Sequence, residues 1–460
     1  MPTPGAQVAI IGAGFAGLSA AAVLEKHSVD YIVYEGADRI GGRVYPVPYE
    51  DGYLQHGAEF INGKNHEIFR IAEKKQLALR DTKDFDLFSG NVQYGINGER
   101  VEKAIIKTWL DFVSDIEQQF AEEAEERGDL SVADRFQELY EQWITTDSIL
   151  EKDRPIFDQL ARFYLTYYEI EWSSPAKELA LLNFAEWDDG NIEAASLMLK
   201  KRGFKDILDE IAAKVSGDKI KVNCTVERVD YSVEGVILNI NNGESLRYDH
   251  VIITCPLGFL KKNHSTFFSP ALHSAKINAI TKLGFGNMMK VFLEYSKPWW
   301  PLHVDAIASL SSSSPLAESF PVFQPLHWNN KMLVAWVSGN GPSVVSELED
   351  EELAVGITQH LREALDNVTI PQPIRVFRHN WIKDPLIGGS YSYLTPETVQ
   401  HVPDAFSAMS EPITIDKKPI LCFAGEHTHP TMYQTTIGAY ESGEREARRI
   451  LHYLMERKVP

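Results

Sequence analysis

A glycine-rich turn close to the N-terminus limits the folds that this chain can adopt. The β-branched run Gln7–Ile11 ends at the sequence GAGFAG, residues 12–17, and an alanine-rich helical stretch, Leu18–Lys26, follows at once. A second apolar run, Asp30–Tyr34, then ends at Glu35. Strand, glycine turn, helix, strand and acid within about 30 residues make up the βαβ unit that binds dinucleotides. The sequence therefore predicts an α/β fold with a Rossmann-like domain.

Each residue of the turn has a physical task in such a unit. Gly12 allows the tight turn, Gly14 lets a pyrophosphate approach the backbone, and Gly17 brings the helix close to the sheet. Phe15 and Ala16 lie in the first turn of the helix, whose free N–H groups and partial positive charge attract phosphates. All five residues are predicted to bind a dinucleotide.

The residues after the second strand indicate which dinucleotide is bound. Glu35 lies 18 residues after Gly17, where its carboxylate can accept hydrogen bonds from ribose hydroxyls and would repel the 2′-phosphate of NADP. The sequence DRIGGR at 38–43 follows, in which Gly42 favours a backbone turn and Arg43 can form a forked contact to phosphate. A second phosphate contact favours FAD, which binds in an extended form, over a nicotinamide cofactor.

Together with the sequence GAEFING at 57–63, these motifs resemble the flavin-containing amine oxidase family, and polyamine oxidases most closely. Monoamine oxidases and lysine-specific histone demethylases belong to the same family. The resemblance implies a discontinuous Rossmann-like FAD-binding domain with an inserted α+β substrate-binding domain. It also implies that Gly57, Ala58, Glu59 and Phe60 contact the cofactor.

The C-terminal region matches the part of this family that returns to the flavin. The buried strand Pro419–Ala424 leads to Gly425 and Glu426, and a helix opens at Thr435 and Thr436. The resemblance implies that Glu426 bonds a ribityl hydroxyl and that Thr436 lies at the pyrimidine edge. A helix N-terminus at this position would stabilise the negative charge of a reduced flavin.

Two middle segments and one lysine also match the family. Val226 resembles the valine whose backbone contacts the adenine, and Pro256 lies in a TxPLG segment that flanks the cofactor, although both segments could be ordinary core strands. Lys290 lies within a largely apolar stretch, where an ammonium is costly unless it has partners. The resemblance implies that Lys290 holds a water against flavin N5; the alternative is a lysine at a strand edge.

The stretch around residue 390 resembles the segment that forms an aromatic wall beside the flavin. Tyr391 would be this wall, and Trp381 would pack nearby. Ser390 stands where monoamine oxidases carry the cysteine that attaches their flavin, so we expect FAD to be bound non-covalently. Thr435 stands where those enzymes have a second aromatic wall, and a half-open cage suits a longer substrate. With Asn62, the residues Lys290, Tyr391 and Thr435 form the predicted catalytic set.

Several polar residues are predicted to recognise the substrate. Three of them, Glu169, Glu171 and Asp188, lie in acidic segments, and the resemblance implies carboxylates near these segments in polyamine oxidases too. For each of the three, the alternative is a solvated position on the surface. Tyr433 is added to this set, as are Asn62 and Tyr391. Polyamine oxidases have His or Glu where this chain has Asn62, and since Asn does not titrate, it would orient an amine or a water.

The composition restricts the classes of partner that we expect the protein to bind. The formal net charge of −20 attracts small cations and repels nucleic acids and anionic membranes. The three cysteines lie far apart without metal-ligand spacing, which predicts buried thiols and no metal site. Without a secretory signal or a long apolar run, a cytoplasmic location is expected. The composition does not indicate the oligomeric state.

We expect the FAD-binding domain at 1–80, 200–270 and 395–460, and the substrate-binding domain at 81–199 and 271–394. The predicted function is oxidation of a polyamine of the spermine, N1-acetylspermine or spermidine class. Hydride would pass to flavin N5, the imine would hydrolyse, and O2 would be reduced to H2O2. One alternative is an L-amino acid or other monoamine oxidase, and Arg378 is the candidate residue for binding the carboxylate of an L-amino acid. The other is a flavin-bound partner-binding protein without activity.

Overall fold

The computed structural model describes residues 7–81, 92–96, 99–146, 149–188, 196–311 and 316–457. The helices of these residues are α1 (Phe15–Lys26), α2 (Glu67–Lys74), α3 (Lys103–Val113), α4 (Ile116–Arg127), α5 (Val132–Ile144), α6 (Arg154–Trp172), α7 (Asn183–Glu186), α8 (Phe204–Ala212), α9 (Leu257–Phe267), α10 (Ser274–Lys282), α11 (Gly341–Val345), α12 (Asp350–Leu365), α13 (Pro396–His401), α14 (Ala405–Ser410) and α15 (Thr436–Glu456). Within the described ranges, none of these helices combines the length and apolar character that crossing a bilayer requires.

The strands of the same residues are β1 (Val8–Ile11), β2 (Tyr31–Tyr34), β3 (Pro46–Tyr49), β4 (Gly52–Gln55), β5 (Phe60–Ile61), β6 (Ala78–Asp81), β7 (Val92–Ile96), β8 (Glu99–Arg100), β9 (Leu197–Leu199), β10 (Ile220–Lys221), β11 (Val226–Ser232), β12 (Gly235–Ile240), β13 (Ser245–Tyr248), β14 (His250–Ile253), β15 (Phe268–Ser269), β16 (Gly284–Phe285), β17 (Met289–Glu294), β18 (Ala306–Ser311), β19 (Val322–Pro325), β20 (Met332–Val337), β21 (Arg375–Arg378), β22 (Ser392–Tyr393), β23 (Ile413–Ile415) and β24 (Lys418–Phe423).

A largely parallel sheet joins the N-terminal, middle and C-terminal parts of the chain. Its strand order is β10-β2-β1-β14-β24-β23, and only the β23–β24 pair is antiparallel among these described strands. Ile10 pairs with Val33 on one side and Ile252 on the other, and Ile252 pairs with Cys422. All four residues of β1 are buried, as expected for a parallel strand covered on both faces. The strands expected near Val8, Asp30 and Pro419 are thus confirmed.

A second, mixed sheet has the order β21-β17-β20-β19-β18-β7-β8. In it, β17 pairs antiparallel with β20, which sets Lys290 opposite Trp336. Helices α3 to α6 pack their apolar faces into one core with residues of this sheet, including Phe292 and Val334. The proposed domain limits stay a prediction. The six-stranded and seven-stranded sheets each draw their strands from the pieces assigned to one domain, whereas the three-stranded sheet β5-β9-β6 combines strands from both.

The first and last helices of the chain pack closely on one another. A Cβ atom added to Gly443 of α15 would lie 2.0 Å from the carbonyl oxygen of Ala16 and 2.2 Å from the hydroxyl oxygen of Ser19. The Ser19 hydroxyl donates a hydrogen bond of 2.6 Å to the carbonyl oxygen of Tyr440. Because the nearest atom belongs to backbone, only a shift of one helix can make room for a side chain at Gly443.

We predict that Gly443→Ala destabilises the protein. Alanine gains about 1 kcal/mol of helix propensity, but the overlap with α1 outweighs this gain, and we expect a net loss of about 2 kcal/mol in the free energy of unfolding. Urea titration followed by tryptophan fluorescence measures this loss. The matched control is Gly217→Ala, where an added Cβ meets no atom within 4 Å and we expect a change within about 0.5 kcal/mol. Equal effects in the two variants would contradict the close packing of α1 on α15.

Candidate active site

A cavity of about 830 Å³ lies at the carboxyl ends of the parallel strands and extends to residues of α4, α6 and β20, which form the side that we expect to receive the substrate. Its wall includes residues that follow β1, β2, β14 and β24, such as Gly12, Glu35, Thr254 and Gly425. In open α/β sheets, ligands bind at this edge. The volume is typical of a site for a ligand of cofactor size.

At one end of the cavity, the turn after β1 presents backbone to the interior. Gly12 has a φ of +106°, and a Cβ at Gly17 would lie 1.9 Å from the carbonyl oxygen of Gly12, so this turn and α1 are in direct contact. A Cβ at Gly14 would meet only the carbonyl oxygen of Gly41, at 3.9 Å, which leaves space on the cavity side. Gly14 is the N-cap of α1 and makes no side-chain cap hydrogen bond, so the helix end can receive an anion.

Glu35 lies beside this turn and is buried. Its two carboxylate oxygens accept hydrogen bonds from the N–H groups of Ala13 at 2.7 Å and Ala37 at 2.8 Å. Burial raises the pKa of Glu35, and these two hydrogen bonds oppose the shift. A carboxylate has about four acceptor positions, so Glu35 keeps acceptor capacity for ribose hydroxyls.

On the other side of the cavity, a buried ion pair links the N-terminal and C-terminal parts. Arg43 Nη1 lies 2.9 Å from Glu426 Oε1 and donates to the carbonyl oxygen of Ser390 at 2.6 Å. Glu426 Oε2 accepts from the Ser392 hydroxyl at 2.6 Å and from the N–H of Gln434 at 2.9 Å. Although burial opposes it, the charge of Arg43 holds the pKa of Glu426 below its usual range. Glu426 is therefore a fixed carboxylate.

The N-terminus of α15 also faces the cavity. Its N-cap residue, Thr435, accepts a hydrogen bond from the N–H of Gly438 at 3.0 Å. The hydroxyl oxygen of Thr436 is buried and has no hydrogen-bond partner within the described part of the chain, and Thr436 lines the cavity. A buried hydroxyl without a partner is unfavourable unless a ligand supplies one. Since a helix end, a ribose acceptor and this hydroxyl line the same cavity, the residues fit bound FAD.

Lys290 lies in β17 of the mixed sheet and lines the cavity. Its ammonium is buried and lies 2.6 Å from the carboxylate oxygen Oε2 of Glu59 and 5.1 Å from the ring centre of Trp336. Burial lowers the pKa of Lys290, and the charge of Glu59 opposes this shift. The expectation that this lysine needs a buried partner is met by Glu59, which the sequence motif placed at the cofactor.

Aromatic and acidic side chains line the substrate side. The Tyr391 hydroxyl donates to the carbonyl oxygen of Glu171 at 3.3 Å, and burial raises the pKa of Tyr391 well above its usual value. Glu117 Oε1 accepts a hydrogen bond of 3.3 Å from the hydroxyl of Tyr168. Glu117, Glu171 and Trp172 all line the cavity. This side can therefore hold a chain that carries both positive charge and apolar groups.

Most of the predicted site residues line this cavity. The lining set contains Gly12, Gly14, Phe15, Ala16, Glu35, Gly42, Arg43, Gly57, Ala58, Glu59, Phe60, Asn62, Glu171, Val226, Pro256, Lys290, Trp381, Tyr391, Gly425, Glu426, Thr435 and Thr436. The structure thus brings together residues from every motif, while their individual roles stay predictions.

Four predicted residues do not line the cavity. Gly17 packs against Gly12, as described above. Glu169 accepts a hydrogen bond from the N–H of Ala176 at 3.0 Å, and Asp188 is exposed. Tyr433 is fully buried, stacks on Phe406 at 4.3 Å, and donates to Asn183 Oδ1 at 3.1 Å.

Arg378, the residue on which the amino acid oxidase alternative depends, also lies outside the lining. Its guanidinium donates to the carbonyl oxygen of Val345 at 2.6 Å and to that of Leu348, and it lies 2.9 Å from Asp350. Of the described residues that line the cavity, the only arginine is Arg43, which is paired with Glu426.

Several lining residues were absent from the predicted set. They include His56, Glu117, Tyr167, Trp172, Phe184, Trp187, Gln324 and Trp336. For the residues of α6, helical spacing was an available signal. Glu171 lies four residues after Tyr167 and three after Tyr168, which places these three side chains on one helix face and Glu169 on another. For Trp336, the signal is the pairing of β17 with β20, which the sequence does not specify.

The comparisons with known proteins identify the family of this chain. Residues 15–451 match the family described as flavin containing amine oxidoreductase. The chain belongs to this family and is an FAD-dependent amine oxidase.

The relatives include enzymes named for polyamines. The chain is 28% identical to the peroxisomal N(1)-acetyl-spermine/spermidine oxidase of Bos taurus, over 98% of this chain and 95% of the relative. It is 26% identical to probable polyamine oxidase 5 of Arabidopsis thaliana, over 97% and 98%. It is also 27% identical to lysine-specific histone demethylase 2 of Homo sapiens, over 96% of this chain and 53% of the relative.

A solved structure shares the fold. It is a putrescine oxidase variant with redesigned cofactor binding, with a TM-score of 0.71 and 20% identity, covering 98% of this chain and all of the other. The predicted α/β fold class is thereby confirmed.

His56 makes stability depend on pH. Burial, with a smaller contribution from the charge of Lys290, lowers the pKa of His56 to about 3. Its unfolded value is about 6.5, so the unfolded chain takes up the proton first as the pH falls, and stability is lost below about pH 6.5. We predict that His56 alone lowers the free energy of unfolding by about 2 kcal/mol between pH 7 and about pH 5.

Urea titrations of the wild type and His56→Leu at the two pH values test this. The variant should lose about 2 kcal/mol less than the wild type over this interval. The control is His452→Leu, since His452 has an exposed side chain. If His56→Leu and His452→Leu show the same pH dependence as the wild type, His56 does not stay neutral in the folded protein.

Proposed function

We propose that this enzyme oxidises a polyamine of the spermine, N1-acetylspermine or spermidine class. The carbon beside an amine nitrogen would lose a hydride, the resulting imine would take up water, and the C–N bond would break to give an aldehyde and a shorter amine. Two relatives that span nearly the whole chain have names that refer to such substrates. The strongly negative net charge of −20 would attract a cationic substrate.

The observation that carries this proposal is the combination of charges and rings on the substrate side. Glu117 and Glu171 supply carboxylates for protonated nitrogens, and Tyr167, Trp172 and Tyr391 supply aromatic surface for the methylene groups between them. Cations also bind favourably over aromatic faces. In a polyamine, charged nitrogens alternate with methylene chains in the same way. An amino acid substrate would instead need an arginine to bind its carboxylate.

When bound, FAD would supply the two-electron acceptor, with O2 as the final oxidant, which takes up two electrons and two protons to give H2O2. The residues of this chain position the reaction. Tyr391 would form one wall for the reacting nitrogen and its carbon, and Lys290 would hold the water. Glu426, which is fixed by Arg43, would accept a hydrogen bond from a ribityl hydroxyl of FAD.

Asn62 would orient the amine or a water. Its side-chain N–H donates to the hydroxyl oxygen of Ser196 at 2.8 Å, which fixes the amide and leaves its oxygen to accept from an ammonium or water. The backbone carbonyl oxygen of Asn62 lies 2.7 Å from Nε2 of His66. The residue is thus held on both sides. Because an amide does not titrate, it would add no ionisation to the pH profile.

We also propose that FAD is bound non-covalently. Ser390 lines the cavity, and its hydroxyl is hydrogen-bonded to the hydroxyl of Ser173. A serine cannot form the thioether that a cysteine forms at this place. The cytoplasmic location and the lack of nucleic-acid and membrane partners stay predictions.

An anaerobic stopped-flow screen tests the function. Spermine, N1-acetylspermine or spermidine should bleach the flavin band near 450 nm, a property of the cofactor, and air should then restore it with release of H2O2. An L-amino acid and an aromatic monoamine are the comparison substrates. If one of these bleaches the flavin and no polyamine does, the polyamine proposal is wrong; if none of the amines does, the partner-binding alternative gains support.

We predict that Glu171→Gln weakens binding of a polyamine. Loss of one carboxylate next to an ammonium should raise the Kd from the stopped-flow amplitudes about tenfold, which corresponds to about 1.4 kcal/mol. The difference from the wild type should shrink as ionic strength rises, because salt screens the interaction.

The matched control is Glu125→Gln, which removes the same charge from an exposed position on α4, the helix that carries Glu117. This control should bind polyamines within about twofold of the wild type, since surface substitutions change free energies little. Equal weakening in both variants would mean that net charge, and not a contact at Glu171, attracts the substrate.

A further inference from the structure

The Lys290–Glu59 pair joins the mixed sheet to the segment before β5 at the cavity wall. Lys290 lies in β17 of the mixed sheet. Glu59 comes directly before β5 and two residues after Gly57. Their charged atoms are 2.6 Å apart, with side-chain exposures of 2% and 13%. A buried ion pair with one hydrogen bond fixes both groups more firmly than a surface pair does.

The backbone on each side of the pair is held in place. A Cβ at Gly57 would lie 1.7 Å from the carbonyl oxygen of Arg43, and the N–H of Ala58 donates to that oxygen at 3.2 Å. Phe60 stacks on Trp336 at 6.1 Å with 19° between the rings, and Trp336 lies opposite Lys290 in the sheet. The stacked rings therefore connect the segment of Glu59 to the strand that faces Lys290.

We propose that Glu59 is a positioning residue for Lys290: its carboxylate fixes the ammonium at the cavity wall, and the two side chains work as one unit. This goes beyond the cofactor contact expected for Glu59 from the sequence motif. It rests on the proposed function only where the lysine's role in amine oxidation is concerned.

The pair determines what Lys290 can do. An ammonium has three N–H donors, and Glu59 takes one, which leaves two for a water in the cavity. Burial alone would favour the neutral amine, which has an acceptor and fewer donors. The negative charge of Glu59 raises the pKa of Lys290 against that tendency. Without Glu59, the Lys290 side chain would no longer be held in one direction. It would also lose its proton at a lower pH.

A double-mutant cycle in the FAD-bound protein tests the coupling. Glu59→Gln leaves a buried ammonium without its partner, and Lys290→Met leaves a buried carboxylate, so each single variant should lower the Tm. The double variant should have a higher Tm than Glu59→Gln, because it contains neither unpaired charge. If the two single effects add, or if the double variant is no more stable than Glu59→Gln, the proposal is overturned. This comparison holds even if Glu59→Gln folds poorly.

A pH titration of the bound flavin's absorbance distinguishes positioning from a purely structural role. With Glu59→Gln, a spectral transition should appear as the pH rises, because a buried lysine without its carboxylate partner loses its proton at a lower pH than the paired lysine does. The transition should be absent in the wild type and in the double variant. A spectrum of Glu59→Gln that does not change with pH would overturn the proposal.

The matched control is Glu294→Gln. Glu294 lies on the same strand as Lys290, is paired with Arg375, and does not line the cavity. It should show neither the flavin transition nor coupling to Lys290→Met. Because the cycle and the titration use no amine, they can succeed when every polyamine fails to bleach the flavin, which separates this inference from the proposed function.

Discussion

Parallel pairing of β1, β14 and β24 is the constraint on which the rest of this molecule depends. These strands come from the beginning, the middle and the end of the chain, and they are buried next to each other in one sheet. Because parallel strands end at the same edge, the pairing brings the turn at Gly12, the segment at Thr254 and the turn at Gly425 to one cavity. The packing of α1 on α15 then fixes the two helix N-termini on either side of the same space.

Buried charges in the cavity wall are held in pairs that cross between parts of the chain. Arg43 is paired with Glu426 across 383 residues, and Lys290 with Glu59 across 231 residues. Burying such groups is costly unless each finds a partner, so these pairs make the cavity wall depend on the complete tertiary fold. Glu117 and Glu171 also line this cavity.

Much of the fold followed from local patterns. The glycine turn, its flanking strands and the acid at Glu35 specify a βαβ unit by spacing alone, and the C-terminal strand and helix were recognisable in the same way. The substrate side was harder to predict. Trp336 reaches the cavity through the pairing of β17 with β20. Tyr433 lies in the core while Thr435 lies at the cavity, because Gln434 between them turns the backbone at a φ of +71°. Such register and turn geometry depends on contacts that are distant in sequence.

We infer that the N-terminal and C-terminal parts of this chain together enclose one FAD. The most direct measurement is the absorbance spectrum of the purified protein, with the flavin quantified after reconstitution with FAD. We expect a yellow protein that absorbs near 450 nm, as oxidised flavins do, and that retains one FAD per chain through gel filtration. A colourless protein that takes up no FAD on reconstitution would contradict it.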